Sequence, residues 1–186
     1  MEHTTVRSLP GGRKRRIDVF SIGELSEKKA WEKIQKAGQV PQEAVFNLSH
    51  SGDYVLCAYS DAAKAQVGCD LEEVKELRLS VARRFFGEGE YRHIAETKDP
   101  ECKTWLFYRY WVLKESFMKA TRKGMAIDMR SYEIGWDQEG RPVIAGKPEE
   151  YADAYYCREY RMQGVNAAIA VCTTDSDIGE LQAIEL

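Results

Sequence analysis

Two short clusters of charged residues constrain this sequence more than any other feature. The first reads Val67-Gly68-Cys69-Asp70-Leu71-Glu72, and the second reads Trp111-Val112-Leu113-Lys114-Glu115-Ser116-Phe117-Met118-Lys119. Side chains alternate along a strand, so Asp70 and Glu72 share one face while Val67, Cys69 and Leu71 face a core. In a helix, residues four apart are neighbours, which places Glu115 and Lys119 on one face.

A helix packed beside that strand would bring three carboxylates and an ammonium together. Three carboxylates without a cation would repel one another and raise each other's pKa. A hard divalent ion resolves this, and Mg²⁺ typically takes few protein carboxylates together with substrate phosphates. The alternatives are a solvated strand face at Asp70 and Glu72, and a surface salt bridge between Glu115 and Lys119. The many apolar positions of the helix argue against the second alternative.

Four blocks of the sequence, in order, resemble the 4′-phosphopantetheinyl transferases. The family pattern Gly-x-Asp-x-Glu, followed after about forty residues by Trp/Phe-x-x-Lys-Glu-Ser/Ala-x-x-Lys, fits at Gly68, Asp70, Glu72, Trp111, Lys114, Glu115, Ser116 and Lys119. Residues 46–52 resemble the family's Phe-Asn-x-Ser-His-Ser-Gly stretch, and residues 82–91 its Arg-Phe-Phe…Glu-Tyr helix start. The similarity is to the type that activates surfactin synthetase, not to the shorter trimeric holo-acyl-carrier-protein synthases.

The resemblance implies an activity with named participants. Such an enzyme moves 4′-phosphopantetheine from coenzyme A to a serine of an acyl or peptidyl carrier protein, with Mg²⁺, and releases 3′,5′-ADP. By resemblance Asp70, Glu72 and Glu115 bind the metal. Glu115 would also accept the proton of the carrier serine, directly or through water. Lys119 would neutralise charge on the phosphate as the bond to 3′,5′-ADP breaks.

Further coenzyme A contacts are implied at Ser49, His50, Lys114 and Lys119. The position of His50 between two serines is also compatible with a Ser–His hydrolase, but the sequence contains no G-x-S-x-G motif. A structural turn histidine is the other alternative for His50. Lys114 points about 100° away from Glu115 around the helix, so a solvated lysine is its alternative.

The residues that would hold the 3′-phosphate of coenzyme A are harder to place, because the family has more chain before its Ser-His-Ser-Gly block. Arg13, Lys14, Arg15 and Arg16 form a dense basic run that could clamp this phosphate, after two glycines that let the segment fold back. A frayed basic arm is the alternative. We expect a shortened N-terminal half.

Docking of an acidic carrier protein is expected at Arg83, Arg84, Phe85 and Phe86, where basic and aromatic side chains combine. The alternative is that at least one of the two phenylalanines belongs to the core.

The composition excludes several other classes. A net charge of −3 gives no basic field for nucleic acid, and no apolar run approaches the ~20 residues of a membrane span. Five cysteines without a C-x-x-C pair favour a reducing cytoplasm over a disulfide framework or a zinc site. A monomer is expected.

The fold class expected is α+β. The resemblance implies two similar halves, 1–73 and 74–186, related by a pseudo-twofold with the active site in the cleft between them. Helices are predicted at 24–38, 80–98 (with Ser80 as its cap and Pro100 after its end) and 102–122. Strands are predicted at 44–49, 54–60, 66–72, 131–137, 142–145, 153–161 and 165–172.

Two rival functions remain open at this point. A non-catalytic family member would bind coenzyme A or a carrier domain without turnover. An unrelated Mg²⁺-dependent phosphohydrolase would release nucleotide product without any carrier protein.

Overall fold

The computed structural model describes residues 15–21, 29, 32, 43–151 and 154–185. The expected α+β class is confirmed. The strands are β1 (Arg15–Ser21), β2 (Val45–Ser51), β3 (Tyr54–Ser60), β4 (Val67–Glu73), β5 (Glu133–Trp136), β6 (Pro142–Ala145), β7 (Tyr156–Tyr160), β8 (Ala167–Thr173) and β9 (Leu181–Glu185). The helices are α1 (Leu79–Phe85), α2 (Glu88–Glu96) and α3 (Pro100–Thr121), with 3₁₀ turns at Gly124–Ala126 and Met129–Ser131.

The strands form three sheets. One has the order β2-β3-β1-β9, another the order β4-β8-β7, and β5 and β6 form a hairpin. Neighbouring strands are antiparallel except β1 and β9, which are parallel. The edge strands β2 and β4 of the two larger sheets lie side by side without a shared backbone ladder.

The β4-β8-β7 sheet is the middle layer of the site. One face of β8, carrying Ala168 and Ala170, belongs to the core around α3. The other face, carrying Ile169 and Val171, packs in a core with Leu56 of β3. Both faces of β8 are therefore buried, which explains its uninterrupted apolar sequence.

Helix α3 is buried over most of its circumference, as its many apolar residues predict. The side chain of Asp99 caps its first turn by accepting a hydrogen bond from the Cys102 N–H at 2.7 Å. Pro100 therefore begins this helix at a position where a missing N–H is harmless. Among the described residues no helix is both long and apolar enough to cross a membrane.

The single helix predicted at 80–98 is two helices. α2 begins after Gly87, whose backbone N–H donates to Glu90 Oε2 at 2.8 Å, so the chain turns between Phe86 and Glu88. Ser80 is not a cap, because α1 already begins at Leu79. Turn and cap chemistry overrode a continuous apolar pattern here.

The C-terminal segment contains β9, a strand that was not predicted from the sequence. β9 pairs with β1, so a strand from the end of the chain joins the sheet built from its beginning. The described residues do not show a pseudo-twofold relation, and the division at residue 73 stays a prediction. The helix predicted at 24–38 lies outside the described residues except for Lys29 and Glu32, which are helical.

Candidate functional site

Side chains, not backbone groups, join β2 to β4. Three β2 side chains at alternate positions accept hydrogen bonds from alternate backbone N–H groups of β4: Asn47 Oδ1 from Cys69 at 2.9 Å, Ser49 Oγ from Leu71 at 3.2 Å and Ser51 Oγ from Glu73 at 3.2 Å. These are N–H groups of a sheet edge, which burial would otherwise leave unpaired. The three rungs fix the register of the two carboxylate-bearing positions of β4 against β2.

Helix α3 lies unusually close to β4 at Gly68. A Cβ added to this glycine would sit 2.0 Å from the carbonyl oxygen of Ser116 and 2.3 Å from the backbone nitrogen of Ala120. Both atoms are backbone, so no side-chain rotation relieves the clash. Gly68 thus lets the helix turn that carries Glu115 and Lys119 rest directly on the strand that carries Asp70.

The centre of the site is a cluster of Ser49, Asp70 and Lys119. Ser49 Oγ donates to Asp70 Oδ1 at 2.8 Å, and Lys119 Nζ donates to the same oxygen at 2.8 Å and to Ser49 Oγ at 3.1 Å. Asp70 and Ser49 are buried, at 3% and 5% exposure. The predicted meeting of strand and helix charges therefore occurs, with Lys119 providing the compensating positive charge.

Glu72 and Glu115 are half-buried beside this cluster. Burial, and then the negative charge of Asp70, raises the pKa of both carboxyls. Burial also raises the pKa of Asp70, against the opposing effect of Lys119. Burial works to lower the pKa of Lys119, but Asp70 outweighs it and the pKa lies above its usual value. All four groups therefore influence one another.

A divalent metal can be tested against this arrangement. Asp70 Oδ2 is buried and has no hydrogen-bond partner, which is costly unless another group satisfies it. The donor set is all oxygen, as Mg²⁺ prefers. Across the part of the chain that the structure describes, however, no three His, Cys, Asp or Glu side chains stand close enough to hold an ion as they are. The residue types and the unpaired Asp70 Oδ2 are suited to a cation. The carboxylates of the described residues are not close enough together to form a complete coordination site.

Lys114 does not reach the site, and its expected contact with coenzyme A is corrected. Its side chain is fully buried, with Nζ donating to the carbonyl oxygens of Met129 at 2.7 Å and Tyr132 at 2.9 Å. A third contact, 2.9 Å long, is an ion pair with Glu90. An ammonium has three N–H groups, and these partners account for all of them.

His50 and Ser51 take opposite sides of β2. His50 is exposed, and its side chain lies on the opposite face of the strand from those of Ser49 and Ser51. Ser51 Oγ donates to Glu72 Oε2 at 3.0 Å, a role that the sequence analysis missed. Polar residues at alternate positions 47, 49 and 51 were the available signal for it.

The proposed docking residues divide into two groups. Arg83 and Arg84 are exposed, and Phe85 is half-buried under the guanidinium of Arg84, 5.1 Å from the ring centre. Phe86 is 2% exposed and stacks on Phe107, so its expected part in docking is corrected: it belongs to the core.

The basic run is only partly described. Arg15 and Arg16 begin β1, where their backbones pair with Ser60 and Tyr59 of β3. Arg13 and Lys14 lie outside the described residues.

A small cavity adjoins Glu72. Its volume is about 140 Å³, and its lining combines aromatic and charged residues: Glu72, Glu73, Lys75, Arg78, Val81, Phe107, Tyr108 and Trp111. Trp111 stands one helical turn before Glu115 on α3. The charged cluster therefore continues into a partly apolar recess.

The sequence of this chain is similar to those of known proteins. Residues 66–172 match the family model described as the 4′-phosphopantetheinyl transferase superfamily. The chain is 33% identical over 138 residues to the 4′-phosphopantetheinyl transferase Sfp of Bacillus subtilis, covering 74% of this chain and 58% of Sfp. It is 42% identical over 84 residues to the 4′-phosphopantetheinyl transferase HetI of Nostoc sp., covering 44% and 34% of the two chains.

Among solved structures, the holo-[acyl-carrier-protein] synthase of Neisseria meningitidis aligns with a TM-score of 0.49 and 20% identity, over 58% of this chain and 95% of that one. The sequence matches show that this chain belongs to the 4′-phosphopantetheinyl transferase superfamily. The chain spans 58% of the length of Sfp and a smaller share of HetI.

Proposed function

We propose that this protein transfers 4′-phosphopantetheine from coenzyme A to a serine hydroxyl of an acyl or peptidyl carrier protein, with Mg²⁺, releasing 3′,5′-ADP. The observation that carries the proposal is the buried cluster of Ser49, Asp70 and Lys119, with Glu72 and Glu115 beside it. The β4 and α3 residues of this cluster lie within the segment that matches the superfamily.

Asp70, Glu72 and Glu115 are the residues that would hold Mg²⁺. The support is the unpartnered Asp70 Oδ2, together with two further carboxylates whose pKa values burial and mutual repulsion raise. Mg²⁺ bound there would neutralise charge on the pyrophosphate of coenzyme A.

The protein's own groups have separate tasks in the reaction. The carrier serine oxygen forms a bond to the β-phosphorus of coenzyme A, and the bond from that phosphorus to the oxygen of 3′,5′-ADP breaks. Glu115 accepts the serine proton, a task for which a raised carboxyl pKa is well suited. Lys119, whose pKa keeps it charged, stabilises the negative charge that develops on the phosphate oxygens.

Substrate binding extends beyond the charged cluster. Ser49 and His50 would contact phosphates of coenzyme A, and the basic run at residues 13–16 would clamp its 3′-phosphate. Arg83, Arg84 and Phe85 would contact the acidic carrier protein, since they combine exposed positive charge with a half-buried aromatic ring.

The test is to incubate the chain with coenzyme A, Mg²⁺ and a panel of apo carrier proteins. Mass spectrometry should show the mass increase of one phosphopantetheine on a carrier, and the increase should disappear with EDTA. A chain that binds coenzyme A but modifies no carrier in a broad panel would instead be the non-catalytic family member. The observation that favours this second candidate is that, among the described residues, no three His, Cys, Asp or Glu side chains stand close enough to hold an ion.

A further inference from the structure

Ser51 makes two hydrogen bonds that serve different purposes. Its Oγ accepts the backbone N–H of Glu73 at 3.2 Å, which is one of the three rungs between β2 and β4. The same Oγ donates its proton to Glu72 Oε2 at 3.0 Å. The first bond joins β2 to the backbone of β4, and the second restrains the Glu72 carboxylate.

The pattern along the three rungs is regular. Ser49 and Ser51 each accept the N–H of one β4 residue and donate to the carboxylate of the residue before it, Asp70 or Glu72. The third rung is Asn47, whose amide oxygen accepts a hydrogen bond from the Cys69 N–H. The residue before Cys69 is Gly68, which has no side chain to orient. Each of the two β4 carboxylates on the face toward β2, Asp70 and Glu72, therefore has its own serine hydroxyl.

We propose that Ser51 is a positioning residue for Glu72, and that it fixes the direction in which this carboxylate faces the site. This inference rests on the proposed function, in which Glu72 is a metal ligand. Glu72 is half-buried and has three rotatable bonds, so without a donor its carboxylate samples several directions. The bond to Oε2 restrains it, and among the described residues Glu72 Oε1 accepts no hydrogen bond and is left for a ligand.

The expected size of the effect follows from comparable groups. Removing a hydrogen-bond partner that orients a metal ligand typically costs 10- to 100-fold in metal affinity. Ser51→Ala should therefore weaken divalent-ion binding by about that factor. Ser51→Thr keeps the hydroxyl on a strand residue and should restore most of the affinity.

The competing explanation is that Ser51 matters only as a rung. Asn47 provides the matched control, because Asn47→Ala removes a rung acceptor while touching no carboxylate. A rung alone would lower the free energy of unfolding in both alanine variants and change metal affinity in neither. The positioning role requires Ser51→Ala to lose affinity while Asn47→Ala keeps it, even at equal loss of stability.

The probe is Mn²⁺, titrated into the full chain and followed by the electron paramagnetic resonance of the free ion. Urea unfolding of each variant reports stability separately. Weakening of Mn²⁺ binding by 10- to 100-fold in Ser51→Ala, with recovery in Ser51→Thr, supports the proposal. Equal affinity in Ser51→Ala and wild type, or no Mn²⁺ binding by the wild type, overturns it.

Transfer to apo carrier proteins by the wild type is measured in parallel. Absence of transfer would overturn the proposed function alone, because Mn²⁺ binding by the Ser51 variants is read independently of turnover.

Discussion

Lys119 Nζ lies 2.8 Å from Asp70 Oδ1, an ion pair between two residues 49 positions apart in the chain. The pair joins α3 to β4 at the place where Gly68 permits their closest approach. The lysine balances buried negative charge that would otherwise oppose folding. Because 29% of the lysine side chain is still exposed, the same ammonium is available to a phosphate bound at that point.

Removal of the carboxylates should abolish transfer. If these residues bind Mg²⁺ and Glu115 accepts the serine proton, Asp70→Ala, Glu72→Ala and Glu115→Ala should each lower the rate by at least ~10²-fold while the protein stays folded. The control is Glu101→Ala, an exposed carboxylate in the first turn of α3. The measurement is carrier modification at limiting Mg²⁺ with circular dichroism alongside. Wild-type rates for Asp70→Ala would contradict the assignment.

Lys119→Met keeps the bulk of the side chain and removes its charge. If Lys119 stabilises the reacting phosphate, kcat should fall more than the affinity for coenzyme A does. Steady-state kinetics and a separate binding titration distinguish the two. A variant with unchanged kcat and weaker binding of coenzyme A would show that Lys119 contributes to substrate binding but not to stabilisation of the transition state.

The basic run should affect recognition of the 3′-phosphate. If these residues clamp the 3′-phosphate, changing Arg13, Lys14, Arg15 and Arg16 to serine should remove a preference for coenzyme A over 3′-dephospho-coenzyme A, because the phosphate loses its positive partners. The measurement is KM for each donor in the wild type and the variant. An unchanged preference would mean that another part of the protein holds the phosphate.

Gly68→Ala should disrupt the site even though the change is one methyl group. The added Cβ would meet backbone atoms of Ser116 and Ala120 at 2.0 and 2.3 Å, so α3 must move away from β4. We expect lower stability in urea unfolding and loss of transfer. Gly89→Ala is the matched control, since its Cβ would find its nearest neighbour at 3.7 Å. Similar behaviour of the two variants would show that the close approach is unimportant.

The buried pair of Lys114 and Glu90 should be structural. Lys114→Met leaves the Glu90 carboxylate without its counter-ion, which typically costs ~3–5 kcal/mol of stability. Arg92→Ala breaks the exposed pair with Glu88 and should change stability by less than ~0.5 kcal/mol. Urea unfolding measures both. If Lys114→Met were fully stable but unable to bind coenzyme A, Lys114 would have the ligand role that its burial argues against.

Much of the site could be predicted from local periodicity. The two-residue period of a strand places Asp70 and Glu72 on one face of β4, with Cys69 and Leu71 buried on the other. The helical period places Glu115 and Lys119 together on α3. These relations depend only on backbone geometry within one element, so the sequence was sufficient for them.

The partners across elements could not be predicted in the same way. Lys114 and Glu115 are neighbours in sequence, yet Lys114 turns inward to Glu90 while Glu115 faces the site. The pairing of β9 with β1 likewise joins segments more than 150 residues apart. Neither relation leaves a periodic trace in the sequence.

The sequence by itself therefore determined the α+β class, the family and the identity of the charged residues at the centre of the site. Tertiary structure decided which of them meet. It paired Lys119 with Asp70 and brought the Ser51 hydroxyl to the Glu72 carboxylate. It also buried Phe86 in the core and turned Lys114 away from the site toward Glu90. The physical reason is that a buried polar side chain must be hydrogen-bonded. On a helix buried on nearly every side, its partners come from the neighbouring elements. Those neighbours are set by long-range packing, not by the local pattern.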